Sequence, residues 1–376
     1  MAHSYTPGLK VTAFTVVQRE RKLPLAGSVV VKVGDVVKAE TVVARTELPG
    51  NVQTVNAANL LGILPEDVME CLTKPVGSTV TKGEVFAESK SFFGLFRSKC
   101  AAPVAGTIES LSTVTGQALL REPPIPVEVD AYVDGTVVDV HPKQGVTVET
   151  RGTFIQGIFG VGGETCGTLH VAVASPADTL TEAMITEQDR GRILVGGSHV
   201  TTKTLLHAVQ MGVKAIVIGG FDDHDLREFL GYDLGVAITG SEEKGITLVV
   251  TEGFGEIPMA NRTFELLKGC EGRQVSVSGA TQIRAGVLRP EIICPRLETG
   301  MKSEARGGDE EGGALTIGSQ IRSIRQPFFG RLGTVTALPP EPTALETEAK
   351  VRVLEVDFGG GEKVLLPRAN VERIEE

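Results

Sequence analysis

Tryptophan is absent and aromatic residues make up only 5% of the chain, whereas glycine is abundant, at 45 residues. That balance suits many short strands joined by tight turns. Cysteine is scarce: Cys71, Cys100, Cys166, Cys270 and Cys294 are scattered, odd in number and form no C-x-x-C pair. Zinc and iron–sulfur sites of the usual spacing are thereby disfavoured, and a reduced, cytosolic setting is expected. No apolar run reaches membrane-spanning length, and the opening MAHSYTPGLKVTAF lacks a basic stretch followed by an apolar core. The expectation is a cytoplasmic protein without membrane insertion. A formal charge of −10 argues against a whole surface that binds nucleic acid or anionic lipid. The signatures G-x-x-x-x-G-K-[ST], G-x-G-x-x-G and H-E-x-x-H are missing, and no Ser-His-Asp order or Cys–His arrangement stands out. No catalytic set is recognisable.

What is present falls into regimes, and 376 residues suffice for two or three domains. Residues 10–175 are rich in Val, Thr and Gly, with alternating strands such as GSVVVKVGDVV and GTVVDVHP. Residues 185–297 alternate short apolar strands (RILVGG, AIVIGG, GVAITG, TLVVTEG) with helical patterns, which indicates a small, mostly parallel α/β domain. Residues 298–314 are polar and glycine-rich and are expected to act as a flexible linker. Residues 315–376 return to strands and turns. The fold class expected is therefore multidomain, β and α/β.

The first regime contains an internal repeat. VGDVVKAETVVA (Val33 to Ala44) and VGSTVTKGEVFA (Val76 to Ala87) share Val, Gly, Val and Ala at the same offsets, and PVAGTIESL recurs in outline as YVDGTVVDV. A turn glycine followed by a β-branched strand, used twice, builds a small closed or sandwiched barrel. This part resembles a barrel-sandwich hybrid domain, the fold of biotinyl and lipoyl carriers. The stretch LPLAGSVVVKVGDVVKAETVVA is especially similar to the domain of that type in the RnfC subunit of ion-pumping electron-transfer complexes. That family's redox function needs cysteine clusters this chain lacks, so the resemblance implies fold and not electron transfer. Carriers of this fold present their lysine as Asp-Lys-Ala or Met-Lys-Met. The corresponding interval here, SKSFFGLFRSK, has neither triplet, leaving Lys90 and Lys99 as the only candidates. No covalent biotin or lipoate is expected. Phe92, Phe93 and Phe96 in the same interval read as a barrel flap or, alternatively, as a tip that docks a protein partner.

Parallel sheets usually bind ligands beyond the carboxyl ends of their strands. The glycines there (Gly196, Gly197, Gly219, Gly220) and Ser198, Thr201 and Lys203 near a helix start could hold an anion, with Glu252 at a neighbouring strand end. The competing reading is ordinary strand-to-helix turns. Asp222, His224 and Glu252 could be drawn into a metal or acid–base site, but Asp222-Asp223 also makes a good helix cap, and no metal is expected. At the C-terminal end, IGSQIRSIRQPFFGRLGTVTAL resembles the KOW segment of NusG-type transcription factors, which implies an SH3-like barrel that binds RNA or protein. Arg322, Arg325 and Arg331 would serve such contact, while the acidic second half favours protein over RNA. The leading expectation is a non-catalytic scaffold or assembly subunit with protein partners. The alternatives are a small-ligand enzyme or sensor working at the strand ends, and an RNA-associated factor.

Overall fold

The computed structural model describes residues 9–91, 96–232, 238–240, 242–282, 288–296, 315–323, 328, 331–344, 350–359 and 363–375. With 48% strand against 15% helix, the chain is mostly β, multidomain, and carries several sheets. Among the described residues no helix is long and apolar enough to cross a membrane.

The N-terminal region comprises β1 (Leu9–Lys22), β2 (Ser28–Val29), β3 (Val36–Val37), β4 (Val42–Leu48), β5 (Val52–Asn56), β6 (Thr79–Val80), β7 (Val85–Ser91), β8 (Phe96–Ala101), β9 (Gly106–Leu111), β10 (Gln117–Arg121), β11 (Ile125–Asp130), β12 (Gly135–His141) and β13 (Gly145–Gln156). A short helix, α1 (Ala57–Leu61), lies between β5 and β6. The sequence repeat is a structural repeat. Gly34 and Gly77 both take φ near +90°, which a side chain would resist. Their amides donate to equivalent carbonyls, Val137 at 2.8 Å and Ile108 at 2.7 Å. Val37 then pairs with Gly135, and Val80 with Gly106. The irregularities repeat too. A bulge follows the pair Val42–Asp130 in one copy and Val85–Ala101 in the other. A second bulge follows Val137 in β12 and Ile108 in β9.

The two copies are nested. In the inner copy β7 runs directly into its partner β8, with Ser91 opposite Phe96. In the outer copy the equivalent partners, β4 and β11, end on Leu48 opposite Ile125, and the whole inner copy lies between them. One unit has been inserted at the hairpin tip of the other. Each has its own core: Phe86, Ile108 and Leu120 in the inner unit, and at the equivalent positions Val43, Val137 and Val148 in the outer. The smaller outer side chains are supplemented by Phe154 and Ile293. Because the two cores are separate, replacing residues 50–123 by a two-residue Asn-Gly turn is expected to leave the remainder folded. Circular dichroism and a dispersed amide spectrum would check this; a collapsed spectrum would show that the outer unit depends on its insert.

The middle region contains β14 (Phe159–Val161), β15 (Glu164–Val171), β16 (Thr179–Leu180), β17 (Ile193–Val195), β18 (His199–Val200), β19 (Ala215–Phe221), β20 (Ile238–Thr239), β21 (Thr247–Phe254), β22 (Gln274–Ser278), β23 (Thr281–Gln282) and β24 (Glu291–Pro295). Strands β15, β17, β19 and β21 are parallel neighbours, and β14 closes the edge antiparallel to β21. The apolar runs of β17 and β19 are buried throughout, and that of β21 up to its last residue, as strands covered on both faces require. The helices are α2 (Thr202–Met211), α3 (Asp223–Leu230) and α4 (Asn261–Lys268). Thr201 caps α2 by accepting from the Thr204 amide, and Asp222 caps α3 by accepting from the His224 amide. The first boundary differs from the compositional one. Phe159, Val161, Leu169 and Val173 belong to the same core as β17–β21, because β15 supplies the parallel neighbour that β17 needs. Antiparallel β22 and β24 continue the sheet to β13.

The C-terminal strands are β25 (Gln320–Ser323), β26 (Leu332–Ala337), β27 (Thr343–Ala344), β28 (Lys350–Val351), β29 (Val353–Asp357), β30 (Lys363–Pro367) and β31 (Val371–Glu375). They enclose a small core of Ile321, Val335, Leu354, Val356, Leu366 and Val371. Strand β31 pairs with β25 and also, in parallel, with β1, placing Leu9 opposite Ile374. The C-terminal strands are thereby stitched to the N-terminal ones. The interval expected to be a linker lies outside the described residues.

Candidate functional site

The carboxyl ends of the parallel strands are where the sequence pointed, and there the structure answers differently. A side chain on Gly197 would collide with the Asp178 carbonyl, one on Gly219 with the Ile257 carbonyl, and one on Gly220 with the Gly255 carbonyl. These glycines accommodate the chain's own backbone, from residues 175–178 and 255–259, and not an incoming anion. Gly196 likewise faces side chains of Leu180 and Ile218. Ser198 is buried, and its hydroxyl donates to the Ala177 carbonyl at 2.9 Å. Thr201 is occupied as the cap of α2, and Lys203 points to solvent beside Glu182, 3.0 Å away. The residues proposed to cradle an anion are thus dispersed or filled.

Glu252 has a different role from the one anticipated. At the end of β21 its side chain is 1% exposed, and it receives the guanidinium of Arg322, 3% exposed, at 2.7 Å. Its other oxygen accepts from the Ala260 amide at 3.1 Å. Arg322 was expected at a partner-binding face; it is instead a buried tie from β25 to β21. Of the other two arginines, Arg331 lies over the stacked rings of Phe328 and Phe358, 4.6 Å from the latter's centroid, and Arg325 lies outside the described residues. The basic stripe that an RNA contact would use is therefore diminished by one member turned inward.

Asp222, His224 and Glu252 are not brought together: Asp222 caps α3 and Glu252 holds Arg322. His224 is grouped instead with Asp225 and Glu228, one ligand atom of each lying within 4.8 Å of the others. Asp225 Oδ1 accepts from the Thr202 hydroxyl at 3.1 Å, while Oδ2 faces Nε2 of His199 at 3.8 Å. His199 was not singled out from the sequence, where it reads as one more residue of a turn.

Phe92 and Phe93 lie outside the described residues, as does the Phe96 side chain. Lys90 and Lys99 sit on β7 and β8, and Lys99 is exposed. A feature the sequence concealed is a buried cysteine pair. Cys270 follows α4 and Cys294 lies on β24, too far apart in the chain to suggest a motif. A hydrogen bond from Cys294, aided by Thr153 and Arg296, lowers the Cys270 thiol against its burial, while the same contact and burial push Cys294 up. The inner β unit also carries an open groove of about 800 Å³ floored by Val76, Val80, Ile108, Pro123 and Pro124. Compared with known protein families the chain matches none, and no curated protein matches it.

Proposed function

We propose that the protein is a non-catalytic scaffold or assembly subunit that docks protein partners through its N-terminal β units. In this reading those units are two barrel-sandwich hybrid modules without a swinging arm, and the C-terminal strands form a KOW-like, SH3-like barrel. One observation carries the proposal, and the duplication supplies its control. The outer copy exposes Val30, Val33, Val36 and Val138, with Val33 at 61% and Val36 at 74%. At the equivalent positions the inner copy has Thr73, Val76, Thr79 and Glu109, in the same hydrogen-bond register. Since the unit folds with polar residues at three of those four places, its architecture does not demand the valines. Clustered exposed apolar side chains mark surfaces that meet another molecule. The inner groove adds a second apolar surface. The filled strand ends in the middle region weigh against the enzyme or sensor alternative.

The test is native mass spectrometry of the chain isolated gently from its source cells, beside a Val33→Lys/Val36→Lys double variant. Stoichiometric protein partners that are lost from the variant, with its melting temperature kept, are the expected result. A wild-type chain that travels alone, or partners that persist on the variant, would overturn the assignment of this surface.

A further inference from the structure

We propose that Cys270 and Cys294, with Thr153 and Arg296 around them, form a peroxide-responsive dithiol site that passes between a hydrogen-bonded thiol pair and a disulfide. The fold brings the four residues together from separate elements. Cys270 follows the Gly269 cap of α4, and Cys294 lies on β24 directly opposite Thr153 of β13. Both cysteines are 1% exposed, belong to one buried cluster and are hydrogen-bonded to each other. Arg296, just past β24, reaches back to the end of α4. One of its terminal nitrogens lies 3.6 Å from where a Cβ on Gly269 would stand.

The guanidinium points to the chemistry. Its Nε is buried and has no hydrogen-bond partner. A buried donor left unpaired is costly, and a sulfur that turns anionic beside it supplies the charge it lacks. The hydrogen bond from Cys294, then Thr153 and Arg296, hold the Cys270 thiol below its ordinary value against its burial. Burial pushes the thiols of Cys71, Cys100 and Cys166 the other way. Among the cysteines Cys270 is therefore the nucleophile, and Cys294 is the partner that resolves it. The C-terminal end of α4 opposes a thiolate, but Lys268 in its last turn, with Arg273 and Arg296 near the pair, offsets that field.

Access suits a small oxidant. Lys268, Gly269, Glu271 and Gly272 on either side of Cys270 are exposed, so the opening of one turn uncovers the buried sulfur. Hydrogen peroxide, little larger than water, can enter there. The Cys270 sulfur attacks one peroxide oxygen, the O–O bond breaks, and the departing hydroxide takes a proton and leaves as water. The Cys294 sulfur then displaces the hydroxyl of the sulfenic acid, and its thiol proton leaves with that hydroxyl as a second water. The two sulfurs lose two electrons and the peroxide gains them. Bond formation draws the sulfurs from hydrogen-bond contact to about 2.05 Å. Cys270 lies in a turn, outside helix and strand, which leaves it free to make that movement.

Intact mass and peptide mapping of the full chain, reduced, treated with hydrogen peroxide and then alkylated under denaturing conditions, test the site. The expected product has lost two hydrogens, carries a Cys270–Cys294 cross-link, leaves Cys71, Cys100 and Cys166 alkylated, and returns to the dithiol with dithiothreitol. In Cys294→Ser the reaction should stop at a sulfenic acid on Cys270, which dimedone captures. Arg296→Met should form the wild-type cross-link at least about tenfold more slowly, a change of rate that a merely structural thiol pair would not show. A wild-type chain that peroxide leaves unlinked while its circular dichroism stays native would overturn the proposal. So would oxidation that falls first on half-buried Cys71, or a cross-link that forms at the wild-type rate in Arg296→Met.

Discussion

Replacing Arg322 by alanine is expected to destabilise the protein by about 3–5 kcal/mol, the cost of leaving a buried charge without its partner. Glu252 would remain 1% exposed, with the Ala260 amide but no cation beside it. The loss should be local at first. Hydrogen exchange should accelerate in β21 and β25 before it does in the inner β unit, whose core is separate. Two apolar residues of similar size, Arg322→Leu with Glu252→Met, should restore most of the loss, since a buried pair adds little over well-packed apolar side chains. Thermal melting and exchange mass spectrometry check both variants. An alanine variant that melts like the wild type would mean that the pair opens to water.

Gly220→Ala is expected to cost about 3 kcal/mol, although it adds a single methyl group. Gly220 has no positive φ, so its conformation would accept alanine, but the new carbon would overlap the Gly255 carbonyl oxygen and crowd the Ile257 amide at 2.7 Å. Both obstacles are backbone, and only movement of residues 255–259 could relieve them. Gly231→Ala provides the contrast. There φ is +80° and nothing lies within 4 Å, so left-handed strain alone applies, about 1 kcal/mol. Urea unfolding of the two variants should therefore rank them in that order. Equal losses would show that the loop over the strand ends yields easily.

The buried Arg322–Glu252 pair and the strand-end glycines also mark where the sequence could be read and where it could not. Glycine at strand ends was visible, but its purpose was ambiguous, because a turn glycine serves an approaching ligand or an approaching loop equally well. Only the positions of Asp178, Gly255 and Ile257 distinguish them. The alternation of apolar strands with helices was legible, since β19 and β21 are short continuous apolar runs and α2 ends on Gly212 in the left-handed conformation. The repeat was legible at four positions, yet its nesting was not, because local pattern says nothing about which strand a hairpin edge will meet after a long excursion. Leu48 finds Ile125 across the entire inner unit. The burial of Arg322 was hidden for a related reason. Arginine is ordinarily a surface residue, and its carboxylate lies 70 residues earlier in the chain. His199 carried no signal at all, since a lone histidine acquires meaning only from what folds next to it.

Nesting also imposes a timetable on the newborn chain. Strand β4 leaves the ribosome well before its partner β11, and its edge must wait while the inner unit is made. Bringing Leu48 to Ile125 across a random intervening coil would cost about 4 kcal/mol in lost chain freedom. Once the inner unit has folded, Asn51 and Glu122 are joined by a 2.9 Å hydrogen bond, and the two ends of the detour already stand side by side. The long excursion has then become a short one, and the outer strands meet almost as neighbours in a hairpin. The inner unit acts as a brace assembled in advance for the frame around it, so a slow-folding insert would delay its host even though the two share no core.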